Sequence, residues 1–218
     1  MPYKFSKNFS IAMTGMLIAL IAILTFTPIG FPQIPLIGSA TIIHIPVIIG
    51  GILLGPKYGA ILGFTFGLSS LIFATAMSTA LNAFAFTPFR PVPGTDSGSP
   101  YAILIAFVPR ILVGIVAPLI FMGLNKLLPR IKPITLAIAA FVASMTNTLL
   151  VLNLLYLIFR EPWSLARSNA NVAEPQITYA FITATIAGFG IPEAIAAAVI
   201  VPVICLALFT VAKRMGKM

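Results

Sequence analysis

Apolar runs long enough to cross a lipid bilayer recur along this chain of 218 residues, and charged residues sit mainly in the segments between them. A helix needs about 20 predominantly apolar residues to span the hydrocarbon core. The composition agrees: 60% of residues are apolar, 8% are charged, and the mean hydropathy is +1.10. An ordinary soluble domain is about a quarter charged, so too few charged side chains remain to cover a 23.1 kDa globule. Disorder is excluded by the same numbers, because disordered chains are poor in apolar residues. The net charge of +9 would suit a nucleic-acid binder, but the basic residues do not gather on a solvated domain, so no nucleic-acid partner is expected. The expectation is an all-α integral membrane protein, one domain over residues 1–218, with six transmembrane helices.

The spans are expected at 9–27, 40–54, 58–77, 101–124, 134–159 and 192–212. The first run, preceded by Lys4 and Lys7, resembles a signal peptide, but it is long and lacks a small-x-small cleavage pattern. The second is short and ends at Gly55-Pro56-Lys57. Residues 177–212 are too many for one span at 1.5 Å per residue. Pro192 followed by Glu193 reads as a helix start, because proline lacks the N–H that would be orphaned there and the carboxylate faces the positive end of the dipole. The preceding residues 177–187 are expected to be a re-entrant or interfacial segment.

Charge sets the expected orientation. One side collects Lys4, Lys7, Lys57, Lys126, Arg130, Lys132, Lys213, Arg214 and Lys217, with no acid. The other collects Arg90, Asp96, Arg160, Glu161, Arg167 and Glu174. The positive-inside rule then makes both termini cytoplasmic. The outer loops, 28–39, 78–100 and 160–190, are long, and the inner connections are short.

A few polar residues inside the spans are candidates for function. Arg110 lies roughly 13 Å along its span from the outer end. An arginine facing lipid at that depth costs several kcal/mol, so it faces a cavity or a partner. It is either a fork for a carboxylate or other anion, or a structural arginine bonded to Glu193 or to carbonyls. Glu193 is the one acid outside the loops and reads as a helix N-terminal cap, a site residue, or both. Asn147 sits at a depth comparable to Arg110 and suits either a ligand amide or hydroxyl, or a helix–helix bond. Asn153, about 240° further around the helix, does not share its face. His44 begins the second span; as the only histidine it bonds a carbonyl or lines a ligand site, and no metal site is expected. Cys205 reads as a small apolar core residue. Trp163 is either an interfacial anchor or part of a lid.

Gly59, Gly63 and Gly67, continued by Ser70, form a small stripe on the third span, which suits close packing of helices. On the first span Ala12, Gly15, Ala19 and Ala22 form another. It is read either as internal packing or as a smooth face for another membrane subunit. The chain carries no P-loop, kinase set or GxGxxG, so ATP-driven movement of a solute requires another subunit. No catalytic residue and no cofactor are expected.

The residues resemble a known family. TIIHIPVIIGGILLGPKYGAILGF (residues 41–64), and above all LLGPKYGAILGFTFGL, is similar to the second and third spans of the substrate-binding S components of energy-coupling factor (ECF) vitamin transporters. HIPVIIGGILLGP, FVPRILVGIV around Arg110 and GIPEAIAAAVIVP around Glu193 look most like the pantothenate-specific branch. The family often carries Ala-x-x-x-Ala on its first span; here Gly15-x-x-x-Ala19 and Ala12-x-x-Gly15 stand nearest. The resemblance implies a six-helix module with a vitamin site near the outer face, closed by the loop between the first two spans. It implies as partners pantothenate or a similar small vitamin, a transmembrane coupling subunit (EcfT) and two ATPase subunits, with the module toppling to deliver its substrate. Arg110, Asn147 and Glu193 would meet the carboxylate, amide and hydroxyls of pantothenate in that order. The rival reading is a stand-alone secondary transporter of a small anionic metabolite. Such proteins usually need coupling acids and a repeated architecture, and this sequence supplies neither. An intramembrane enzyme is disfavoured, because Glu193 and His44 make no convincing protease or metal site.

Overall fold

The charged and proline-rich segments become helix ends and turns. A computed structural model of the chain describes residues 5–27, 30, 33–34, 38–39 and 41–214. Helix α1 is Lys7–Thr25, capped by Ser6, whose hydroxyl accepts from the Phe9 N–H. A small antiparallel hairpin comes next, β1 (Gln33–Ile34) with β2 (Gly38–Ser39), Gln33 opposite Ser39. Then come α2 (His44–Leu54), α3 (Pro56–Ala76), a 3-10 turn at Ala83–Phe86 and α4 (Tyr101–Leu127). A second 3-10 turn, Pro129–Ile131, leads into α5 (Lys132–Asn169). Last are α6 (Tyr179–Thr185), a π-helical turn at Ile186–Gly190 and α7 (Ile191–Arg214). Most of the expected loop 28–39, and the terminal Lys4 and Lys217, lie outside the described residues.

Five helical stretches are long and apolar enough to cross a membrane: α1, α3, α4, the stretch Pro129–Asn169 and the stretch Tyr179–Lys213. The expected second span is shorter than anticipated. It begins at His44 rather than residue 40, and its 11 residues reach only about 16 Å. All eleven are buried. This helix is the centre of the bundle and packs on α1, α3, α4, α5 and α7. Large apolar side chains point outward around it, including Met16 on α1, Leu119 on α4, and Val199 and Val203 on α7. Such a surface is what lipid covers.

Two expectations about helix boundaries are corrected. The break anticipated at residues 188–193 is a π-helical turn inside a continuous 35-residue helical stretch. Pro192 has no N–H for the carbonyl four residues back, and a π turn accommodates that misfit without ending the helix. The fifth helix runs past the expected residue 159 to Asn169. It bends at Phe159 (φ −123°, ψ 20°), because the ring of Pro162 crowds the carbonyl of Ile158. The extension beyond the bend turns Trp163 inward, where it is buried.

The glycine stripe of α3 is internal packing. Gly59 of α3 and Gly114 of α4 meet backbone to backbone, and a methyl group on either would run into the other's carbonyl. One turn on, a methyl at Gly63 would strike the carbonyl of Arg110. At Gly67 it would lie 2.8 Å from the carbonyl of Ala106. The stripe therefore seats the Arg110 segment of α4 directly on α3.

The long connection 78–100 is built onto the end of α3. Arg90 donates from Nη1 to the Ser78 carbonyl at 2.7 Å, and from Nε and Nη2 to the Thr75 carbonyl at 3.2 Å, satisfying carbonyls at the helix end. The Thr75 and Thr87 hydroxyls are 2.6 Å apart. Pro93-Gly94 forms a turn closed by the Thr95 N–H on the Val92 carbonyl at 2.9 Å, with Gly94 at φ +88°, a conformation glycine adopts freely.

Candidate functional site

A cavity of about 730 Å³ lies at the end of the bundle where the long connections gather. One face of α3 supplies Phe66, Ser70, Phe73 and Ala74, at helical spacing, and Met77 follows just past the helix end. One face of α5 supplies Asn147, Thr148, Val151, Leu152 and Leu155. The 78–86 connection adds Asn82 and Phe86; the α6–α7 region adds Phe181, Thr185, Gly190 and Glu193. Trp163 covers the side toward the α5 bend and meets Phe181 edge to face, with ring centroids 5.6 Å apart.

Arg110 is 7% exposed and reaches this cavity from α4. Its Nη1 donates to the carbonyl of Ile105 at 2.6 Å. Its guanidinium carbon lies 5.5 Å from the ring centre of Phe66 and 5.1 Å from that of Phe86. The Nε atom is buried with no hydrogen-bond partner among the described residues. Among the described residues Arg110 forms no ion pair with Glu193; the Arg–Glu pair present joins Arg160 to Glu161 at 3.8 Å, away from the cavity. The cavity wall thus contains a buried guanidinium held by a carbonyl and two aromatic faces, and among the described residues no carboxylate pairs with it, although Glu193 lines the same cavity.

Asn147 is 8% exposed and its Oδ1 is buried without a hydrogen-bond partner among the described residues. Buried polar atoms are nearly always paired, so an unpaired amide oxygen in a cavity wall is a point of attachment for a donor. Asn153, by contrast, returns its amide to the Leu149 carbonyl of its own helix at 2.7 Å.

Glu193 also lines the cavity, and its Oε1 accepts from the backbone N–H of Thr41 at 2.6 Å. The capping reading of Glu193 has no free helix end to act on, because the helical stretch continues through Ile191. The π turn inserts one residue and rotates the helix beyond it by about 100°, which helps bring Glu193 to this wall. A methyl group at Gly190 would meet the side chain of Thr148 at 2.5 Å, so α7 lies close against α5 here.

His44 does not line the cavity. It is buried, with Nε2 3.1 Å from the Ser144 hydroxyl. Ser144 lies one turn below Asn147 on α5, so the pair fastens α2 to α5 beneath the cavity. Of the expected site residues, the structure brings Arg110, Asn147 and Glu193 together and sets His44 apart. The aromatic walls formed by Phe66, Phe86 and Phe181 carry no signal in a chain so rich in apolar residues, and Trp163, expected as an interfacial anchor or part of a lid, lies with them in the cavity lining. On α1, Ala12, Gly15 and Ala19 are exposed and Ala22 is half-buried. The buried face of α1 is instead Ser10, Thr14, Leu17, Ile21 and Thr25.

A multi-helix membrane protein with a ligand-sized cavity at one end and a buried arginine in its wall has the build of a solute-binding membrane component. Pockets of a few hundred to about 1,000 Å³ with few, convergent polar groups are typical of small-molecule sites. Residues 9–205 match the family described as ECF transporter, substrate-specific component, and the chain belongs to that family. It is also similar to the pantothenic acid transporter PanT of Lactococcus lactis subsp. cremoris (strain MG1363). The two are 40% identical over 166 residues, which is 75% of this chain and 81% of that protein.

Proposed function

We propose that this chain binds pantothenate from outside the cell and, with a transmembrane coupling subunit and ATPase subunits, delivers it across the membrane. The observation that carries the reading is the Arg110 guanidinium, buried in the cavity wall with no carboxylate partner among the described residues. Pantothenate has one carboxylate, an amide and two hydroxyls. Arg110 meets the carboxylate, Asn147 the amide and Glu193 the hydroxyls. The name of the Lactococcus relative supports the same vitamin.

The charge distribution supports one topology. The short helix α2 joins the α1 side of the chain to α3 and is buried along its whole length, so we read it as a sixth crossing, short because it is enclosed by protein. Six crossings put both termini on one side, and the basic residues make that side the cytoplasm. The cavity then opens outward. On α1, the exposed stripe of Ala12, Gly15 and Ala19, with Ala22 at its edge, is the face for the coupling subunit; beyond its own helix, no described residue lies within 4 Å of a methyl group built on Gly15.

Two measurements test this. Purified chain is titrated with radiolabelled pantothenate and with other vitamins, and uptake is measured in vesicles with and without a coupling module. The reading requires saturable binding of pantothenate by the chain alone and uptake only with the module. Uptake by the chain alone would make it a secondary transporter, and tighter binding of another vitamin would displace pantothenate.

A further inference from the structure

The residue before Arg110 accounts for where its guanidinium sits. Pro109 lies inside α4 and has no N–H to return to the carbonyl of Ile105, four residues back. Ile105 is fully buried, so that carbonyl has no water to turn to. Arg110 supplies the missing donor, through Nη1 at 2.6 Å. Helical side chains lean toward the N-terminus of their helix, so a long side chain at 110 reaches back over the turn that carries residue 105. One donor of five is thereby engaged, and among the described residues Nε has no partner. Phe66 and Phe86 close the two sides.

We infer that Pro109 is a positioning residue for ligand recognition: by orphaning the Ile105 carbonyl it anchors Arg110 in the orientation that receives a carboxylate. This rests on the reading of Arg110 as the partner of an anionic ligand. Restoring an N–H at position 109 gives the Ile105 carbonyl its helical donor again, in competition with Arg110. The guanidinium is then no longer pre-organised, and the ligand must order it on binding. Ordering one long side chain costs a factor of about three to ten in affinity. An uncharged ligand of the same shape does not draw on that pre-organisation.

The test uses the purified full chain and two ligands, pantothenate and the alcohol analogue in which the carboxylate is replaced by a hydroxymethyl group. Dissociation constants are measured for the parent, Pro109→Ala, Arg110→Ala, the double variant and Pro118→Ala. The last removes the other proline inside α4, away from the cavity lining, and controls for straightening of the helix. Pro109→Ala should weaken pantothenate about three- to tenfold and leave the analogue nearly unchanged, so the acid-to-alcohol preference falls. Pro118→Ala should leave the preference as it is, and in the Arg110→Ala background Pro109→Ala should not change it further. Equal losses for both ligands in Pro109→Ala, whether by altered packing or by failure to fold, overturn the assignment. So does an unchanged preference, or an equal effect of Pro109→Ala without Arg110. Failure of the parent to bind pantothenate overturns the functional reading itself, and the assignment with it.

Discussion

Glu193 on α7 accepts a hydrogen bond from the backbone N–H of Thr41 at 2.6 Å, joining two cavity-lining residues 152 positions apart. Thr41 leads directly into α2, so this bond ties the last helix to the entrance of the central one. Glu193→Ala leaves a part-buried N–H without its acceptor, a loss of about 1–3 kcal/mol. Glu193→Gln keeps an oxygen at the same reach. Thermal unfolding of the purified chain in detergent should rank parent, Glu193→Gln and Glu193→Ala in that order. Equal midpoints for the two variants would show that the bond contributes nothing.

The contact of Gly59 with Gly114 predicts the sharpest packing effect in the bundle. A methyl group at either position meets backbone, which cannot move aside as a flexible side chain can. Overpacking of this kind costs about 1–3 kcal/mol. Gly59→Ala and Gly114→Ala should each lower the unfolding midpoint, and should weaken ligand binding because α4 carries Arg110. Gly15→Ala, placed in open space, should do neither.

The exposed stripe of α1 predicts a separation of functions. Leucine at Gly15 and Ala19 should abolish uptake by the assembled complex while the isolated chain keeps its ligand affinity. Simultaneous loss of binding and expression would return the stripe to a purely structural role.

Sidedness is checked by cysteine labelling in a Cys205→Ala background. Cysteines at Ser97, in the 78–100 connection, and at Ser168, exposed in the last turn of α5, should react with a membrane-impermeant reagent applied to intact cells. A cysteine at Leu128, in the short turn after α4, should react only after lysis. The reverse pattern would place the cavity on the cytoplasmic face.

Cost decides which site residues are legible in the sequence. A guanidinium, an amide or a carboxylate inside an apolar run stands out because lipid does not solvate it, and so Arg110, Asn147 and Glu193 are visible without a structure. Phe86 is not visible, and Trp163 is visible only as an interfacial anchor or part of a lid, because their places depend on distant contacts. The Arg90 clamp on the end of α3 holds the 78–100 connection, and the Pro162 bend turns the α5 extension back over the cavity. His44 stands out equally well as a polar residue, but its partner Ser144 is 100 positions away, and only the fold shows that the pair lies below the cavity wall. Pro192-Glu193 reads as a helix start because the local rule for proline does not anticipate a π turn that absorbs it. Likewise Pro109 reads as part of a motif until the geometry pairs the carbonyl it orphans with the neighbouring arginine.

The central claim is that the buried guanidinium of Arg110 receives the ligand's carboxylate, and the most direct test compares pantothenate with its alcohol analogue on the parent chain and on Arg110→Ala. Removing one partner of a desolvated charge pair costs about 2–5 kcal/mol, roughly 30- to several-thousand-fold in affinity. The account predicts a loss of that size for pantothenate, a much smaller one for the alcohol, and an intermediate loss in Arg110→Lys, which keeps the charge without the planar fork. Equal binding of acid and alcohol by the parent chain, or full affinity for the acid in Arg110→Ala, would contradict it.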